Sequence, residues 1–196
     1  MNKSVKLTNA RGIAALELAI ILPLLCMMVF GIIDIGRLVD ARLVVTDLSR
    51  EGANLSSRDL NPGTGSELTD VLAYLQGSSS PLNMATSGEI YITTIAAGAT
   101  ASSPDPTITS QVSAGSLSTA STISSSATDL GLPSEIYKHL VFNTANQVAD
   151  VLGVSVVEVY YQYTPITPLA SFVPGLLTAA GTVIGSRAIF CSSGGS

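Results

Sequence analysis

The chain has 196 residues, enough for one domain and a membrane element but not for two catalytic domains. Hydrophobic residues make up 46% of it and charged residues only 12%, so its apolar content exceeds that of an ordinary soluble domain. The formal net charge is −5 and the nine cations are scattered along the chain, which argues against a nucleic-acid partner.

The N-terminal region predicts a single membrane helix. Residues 1–12 form a short basic leader with three cations, and residues 18–33 contain no charged side chain. A helix over residues 13–33 is interrupted only by Glu17 and rises about 30 Å, the thickness of the hydrocarbon core. A cleaved secretory signal is the alternative, but no A-x-A-like cleavage site follows the apolar run.

The expected orientation rests on the size of the flanking regions, because the charges do not decide it. Three cations precede the span and three arginines follow it closely, so the positive-inside rule gives a tie. The region behind the span is long and rich in Ser, Thr and Gly, whereas the leader has only a dozen residues. We therefore expect the leader to be cytoplasmic and the C-terminal domain to be extracytoplasmic.

Glu17 is the one charge inside the apolar run. An acidic side chain at the bilayer centre costs about 2.5 to 3.5 kcal/mol on insertion scales, and less at the shallower depth expected here. One interpretation is that the carboxylate reaches the headgroup region unaided. In the other, cutting after Gly12 gives Ile13 a free amine, and this ammonium neutralises the Glu17 carboxylate of a neighbouring subunit.

Residues 34–58 predict that the helix continues as a stalk. They contain no proline, and apolar or small residues recur at alternating spacings of three and four, at Leu38, Ala41, Val45, Leu48, Gly52 and Leu55. This stripe has two interpretations: it packs on the chain's own sheet, or it packs on the helix of another subunit.

Residues 59–196 predict a small extracytoplasmic α+β domain, with an antiparallel sheet of three or more strands packed on helices. Strands are expected at 89–97, 154–163 and about 181–190, where β-branched and aromatic residues concentrate. Helices are expected from Ser66 to about Leu75 and from Pro133 to about Leu152. Turn or linker segments are expected at 61–65 and in the Pro-rich stretch 164–175.

The segment from about 98 to 128 consists mainly of Ser, Thr, Ala, Gly and Pro. Such a composition does not build a core and predicts a surface loop. A glycosylated or adhesive loop is the functional alternative.

The sequence offers no recognisable catalytic or metal-binding motif. His139 is the only histidine, and there is no Cys-x-x-Cys, P-loop, G-x-S-x-G or G-x-G-x-x-G. We therefore expect no metal, no cofactor, no small-molecule substrate and no enzymatic activity. His139 is interpreted as a solvated helix residue and Glu135, Asp150 and Glu158 as surface charges, while Cys26 and Cys191 lie too far apart in the expected fold to pair.

Three stretches of the sequence resemble a known family. Gly12 followed by Ile-Ala-Ala-Leu-Glu puts a carboxylate at the fifth position after a glycine, as in the prepilin leaders of the type IV pilin class. The stretches RGIAALELAIILPLLCMMVFGIIDIGRL at 11–38, DLSREGANLSS at 47–57, and the tail from VSVVEVYYQYTP through IGSRAIF are similar to the TadE-like family. Members of that family are minor pseudopilins of the tight-adherence (Flp) pilus system.

The resemblance implies a function in pilus assembly. It implies processing by a prepilin peptidase after Gly12, Ile13 as the mature N-terminus and Glu17 as the assembly carboxylate. The implied partners are the membrane, the peptidase, other pilins and the pilus assembly platform, at the bacterial inner membrane or in a surface pilus. The alternatives are an uncleaved, signal-anchored binding or adhesion protein and an anchored enzyme.

Overall fold

The computed structural model describes residues 4–58, 65–168 and 181–192, which form two compact units. The first unit contains the described residues up to Asp40 together with those between Thr164 and Thr182. The second contains Ala41–Tyr163 and the chain from Val183 onward. The turn expected at 61–65 lies outside the described residues apart from Gly65, and so does the Pro-rich stretch beyond residue 168.

The first unit is built on the N-terminal part of helix α1, which runs from Ser4 to Arg58. The segment Gly12–Ser57 is long and apolar enough to cross a membrane. Its large apolar side chains from Ile13 to Ile35 are all exposed, so this part of the helix is apolar on every side. A helix of that kind is stable only where lipid or other apolar groups surround it.

The second unit contains a four-stranded antiparallel sheet with helices packed on it, so the predicted α+β fold is confirmed. The strands stand in the order β2-β1-β3-β4, and β1 pairs antiparallel with both β2 and β3. The elements after α1 are α2 (Gly65–Ser78), α3 (Met84–Ser87), β1 (Gly88–Ala96), β2 (Thr107–Gly115), α4 (Ser134–Leu140), β3 (Gly153–Tyr163) and β4 (Thr182–Ser192).

One face of the sheet packs on α1 and α2. Four positions of the predicted stripe, Ala41, Val45, Leu48 and Gly52, are buried. The shared core includes Val45, Leu48, Leu72, Leu75, Ile90, Ile92, Val157 and Val159. A Cβ on Gly52 would lie 2.7 Å from Leu75 Cδ1 and 3.1 Å from Val157 Cγ1, so this glycine permits the close approach. The stripe therefore packs on the chain's own sheet.

The opposite face is covered by the chain between β2 and β3, which includes a 3-10 turn at Thr128–Gly131 and helix α4. Here Ile95, Val154 and Val156 pack against side chains of that covering segment, namely Ile123, Leu132 and Leu140. Strand β3 is consequently buried on both faces over most of its length, which explains its run of valines.

Two expectations about the chain between β1 and β3 are wrong. Helix α4 ends at Leu140 and does not continue to Leu152, because the chain turns extended at Val141 and Phe142 N–H donates to Pro104 O at 2.8 Å. The stretch from 98 to 128 is not only a loop, since it contains β2 and the buried Ile123. Both differences arise from long-range hydrogen bonds and packing that override the local sequence pattern.

Candidate functional site

The residues expected to govern processing and assembly lie on the exposed first part of α1. Gly12 has open space around it, since nothing lies within 4 Å of a Cβ built there. Ile13 is 61% exposed, and Glu17 is exposed and makes no hydrogen bond or ion pair with the described part of the chain. Ile13 and Glu17 are four residues apart and so lie on one face of the helix.

Asp34 is the first charged residue after the apolar run, and the structure buries it completely. Its Oδ1 accepts hydrogen bonds from the backbone N–H groups of Ile166 at 3.2 Å and Thr167 at 3.3 Å, and its Oδ2 accepts one from the Thr167 hydroxyl. Charge-assisted bonds of this kind offset the cost of removing a carboxylate from water. No local pattern indicates this contact, because its donors lie more than 130 residues away along the chain.

Glu158 was expected to be a surface charge, and that expectation is wrong because it is 1% exposed. It lies in β3 opposite Tyr91 of β1, on the face covered by the segment between β2 and β3. Its carboxylate accepts hydrogen bonds from the hydroxyls of Ser121 and Thr122, from Thr122 N–H at 3.2 Å and from Tyr160 OH at 3.1 Å. A single glutamate within a strand of valines and tyrosines was the available sequence signal for a buried polar centre.

The groups around Glu158 continue this network across the sheet face. Arg187 Nη1 donates to Thr122 Oγ1 at 3.2 Å and to Gly131 O at 3.0 Å. Burial and, to a lesser extent, the nearby Glu158 carboxylate together raise the pKa of the Tyr160 phenol to about 12. Tyr160 is therefore a protonated donor at neutral pH. These hydrogen bonds attach residues 121–131 to the sheet.

His139 and Asp150 form an exposed pair near the end of α4. The distance from His139 Nδ1 to Asp150 Oδ2 is 2.9 Å, and the two side chains are 60% and 51% exposed. His139 is thus a solvated residue at the surface, as expected. Across the described ranges, no group of three or more His, Cys, Asp and Glu side chains is arranged to hold a metal ion, and both cysteines are free.

Comparison with known proteins finds a family similarity in the N-terminal region. The model of the family described as TadE-like protein matches residues 12–54, which include Gly12, Glu17 and Asp34. No curated protein and no solved structure matches the chain. The predicted resemblance to the TadE-like family is confirmed over the matched residues. The match suggests involvement in tight-adherence pilus-related systems, and together with the one apolar helix of spanning length among the described residues it indicates membrane anchoring.

Proposed function

We propose that this protein is a minor pilin or pseudopilin that takes part in assembly of a tight-adherence (Flp) pilus. A prepilin peptidase cuts it after Gly12, and residues 13–33 hold it in the bacterial inner membrane with the domain at 59–196 outside. Its partners are other pilins and the assembly platform, and it has no catalytic role. The observation that carries the proposal is the placement of Gly12, Ile13 and Glu17 on an exposed apolar helix within the TadE-like match.

The chemistry of assembly follows from the two charges at the start of the mature helix. Cleavage creates an ammonium group at Ile13, on the same helix face as the Glu17 carboxylate. Opposite charges about 4 Å apart attract by about 4 kcal/mol at an effective dielectric constant of about 20. That attraction is comparable with the cost of about 2.5 to 3.5 kcal/mol for placing one acidic side chain in the membrane centre. Pairing between subunits thus favours association over isolated insertion.

The exposed apolar surface of the helix makes a second contribution to assembly. The apolar side chains from Ile13 to Ile35 have no partners within the described chain that bury them. Lipid covers these apolar side chains in the isolated subunit, and the apolar helices of other pilins cover them equally well in an assembly. Because apolar contact does not distinguish lipid from helix, the ion pair supplies the preference for a pilin neighbour.

Mass spectrometry of the protein extracted from membranes of a host with the peptidase tests the processing step. We expect a mature chain that begins at Ile13. Gly12→Val is expected to leave the leader attached, whereas Gly36→Ala, at another open glycine of the same helix, leaves cleavage unchanged. An intact Met1 chain in the unmodified protein contradicts the proposal and favours the uncleaved, signal-anchored binding protein.

Glu17→Gln tests the assembly step, because it keeps the shape of the side chain and removes the charge. Cleavage is expected to persist, while incorporation into pili or pilin complexes falls on the order of tenfold or more, equivalent to about 1.4 kcal/mol or more. Asp40→Asn is the matched control, since Asp40 is an exposed carboxylate of the same helix beyond the apolar run. Equal incorporation of Glu17→Gln and the unmodified protein refutes the role of the carboxylate.

A further inference from the structure

Asp34 holds a second segment of the chain beside the end of the apolar run. The segment comprises residues 164–168, which we call the clasped turn, and it belongs to the same compact unit as the N-terminal part of α1. We propose that the clasped turn contacts the lipid headgroup region and gives the protein a second point of contact with the bilayer. The proposal rests on membrane anchoring by α1 and is independent of the pilus function.

The position of Asp34 along α1 gives the first argument. Its neighbours Ile33 and Ile35 are 45% and 55% exposed, so this helical turn still presents apolar side chains to its surroundings. The next charged residues, Arg37 and Asp40, are exposed as charges in water are expected to be. Among the charged residues of α1 whose exposure the structure describes, Asp34 alone is buried. The end of the apolar run is therefore the edge of the membrane layer, where a carboxylate needs donors from the protein.

The hydrogen bonds of the clasped turn give the second argument. Two successive backbone N–H groups, of Ile166 and Thr167, and the Thr167 hydroxyl all point at the Asp34 carboxylate. Pro165 precedes them and has no N–H group that would need a partner. The polar donors of this turn are thus directed into the protein, and the turn presents few unsatisfied donors to a lipid layer.

The composition of the turn gives the third argument and selects lipid as the occupant. Ile166 is 63% exposed, and no Asp, Glu, Lys or Arg occurs between Glu158 and Arg187. A turn without charged side chains lacks the groups by which protein partners are usually oriented. The exposed Ile166 instead belongs to the first unit, where its N–H bonds to Asp34 between the exposed Ile33 and Ile35 of the membrane helix, so we expect the same bilayer to cover both.

A fluorescence experiment on the full-length chain in phosphatidylcholine and phosphatidylglycerol vesicles tests the proposal. Ile166→Cys is labelled with the environment-sensitive probe NBD in a background carrying Cys26→Ala and Cys191→Ser. We expect a lipid spin-labelled at the headgroup to quench this probe at least twofold more than it quenches one at Leu152→Cys. Leu152 is the matched control because it is 61% exposed and belongs to the second unit.

The role of Asp34 is tested by adding Asp34→Ala to the labelled Ile166→Cys chain. Without the carboxylate the turn loses its three hydrogen bonds, and quenching by the headgroup spin label is expected to fall to the level of the Leu152 control. Asp34→Asn keeps one acceptor oxygen and is expected to retain part of the quenching. Asp40→Ala, which removes an exposed carboxylate of the same helix, leaves quenching unchanged.

The outcomes separate this inference from the proposed function. A probe on the native Cys26, in a chain carrying Cys191→Ser, reports insertion of the span. If that probe is reached by aqueous iodide, anchoring fails and the inference fails with it. If Cys26 is protected while Ile166→Cys is as accessible to iodide as Leu152→Cys, the inference is overturned and anchoring stands. Lipid contact at Ile166 in a protein that is never processed or incorporated supports the inference and counts against the pilus function alone.

Discussion

Thr122 directs both its backbone N–H and its hydroxyl at the carboxylate of Glu158, which lies in the middle of strand β3 and is 1% exposed. The segment that covers this face of the sheet is therefore attached through a buried charge as well as through the apolar cluster around Ile123. Buried polar networks of this kind are stabilising only while every member is satisfied.

Glu158→Ala is expected to lower the free energy of unfolding by about 1 to 3 kcal/mol, because Thr122 N–H and the neighbouring hydroxyls lose their acceptor. Denaturant unfolding of the full-length chain in detergent micelles measures the change. Glu135→Ala is the control, since the Glu135 side chain is 82% exposed and its bond to Lys138 lies at the surface. Equal effects of the two substitutions would contradict the structural role of Glu158.

The raised pKa of Tyr160 predicts a pH dependence in the alkaline range. Burial and the charge of Glu158 raise the pKa of this phenol from 10.0 to about 12 in the folded protein. Between these two values the unfolded chain has lost the proton that the folded chain still binds, so stability falls as the pH rises. Below pH 10.0 the contribution is fully present.

Tyr160→Phe removes this titration, and its unfolding free energy is expected to decline less steeply than that of the unmodified protein between pH 10.0 and about 12. Denaturant unfolding at a series of pH values, combined with absorbance of tyrosinate, measures the difference. Superimposable pH profiles of the two proteins would be inconsistent with a buried phenol beside Glu158.

Two adjacent residues of α4 offer a direct comparison of exposure with burial. His139→Ala is expected to change the free energy of unfolding by less than about 1 kcal/mol, because its pair with Asp150 is solvated. Leu140→Ala is expected to cost about 2 to 5 kcal/mol, because Leu140 is fully buried beneath the sheet. Unfolding of the two variants under the same conditions checks the prediction, and a larger loss for His139→Ala would refute it.

The same glycine-to-alanine substitution is expected to have different effects at two positions, Gly98 and Gly77. A Cβ at Gly98 would lie 1.9 Å from Pro104 O, which is backbone and is held by Phe142 N–H. Gly98→Ala is therefore expected to destabilise the protein by about 1 to 3 kcal/mol or more. Gly77→Ala, where nothing lies within 4 Å, is expected to be neutral or to stabilise helix α2 by up to about 1 kcal/mol. A thermal melt of each variant distinguishes them, and similar midpoints would contradict the close approach at Gly98.

Strong periodic patterns made the main elements of the fold predictable. The stripe at Ala41, Val45 and Leu48 indicated the buried side of α1, and the β-branched run at residues 154–163 indicated β3. These features could be predicted because each depends on residues only a few positions away in the sequence. Strand β2 was missed because serine, alanine and glycine dilute its few β-branched residues, and its backbone is ordered by pairing with β1.

The buried, hydrogen-bonded carboxylates were harder to predict from the sequence. Asp34 and Glu158 are both visible in the sequence as charged residues, but their burial was not predicted because their donors come from Thr167 and Thr122, distant in the chain. Similarly, the helical pattern after Leu140 gave no sign that Phe142 N–H would bond to Pro104. Burial of a charge requires partners whose position only the tertiary fold determines.

The position of strand β4 late in the sequence determines when during synthesis the sheet can be completed. Ser49, in the first helix, shares a hydrogen bond of 2.9 Å with Ser186, in the last strand, so the earliest and latest parts of the domain meet. During synthesis β4 leaves the ribosome after all other strands, and until then the flank of β3 that it covers stays bare. A chain terminated prematurely before Thr182 would keep its apolar N-terminal helix yet display a valine-rich strand edge, which is a template for aggregation.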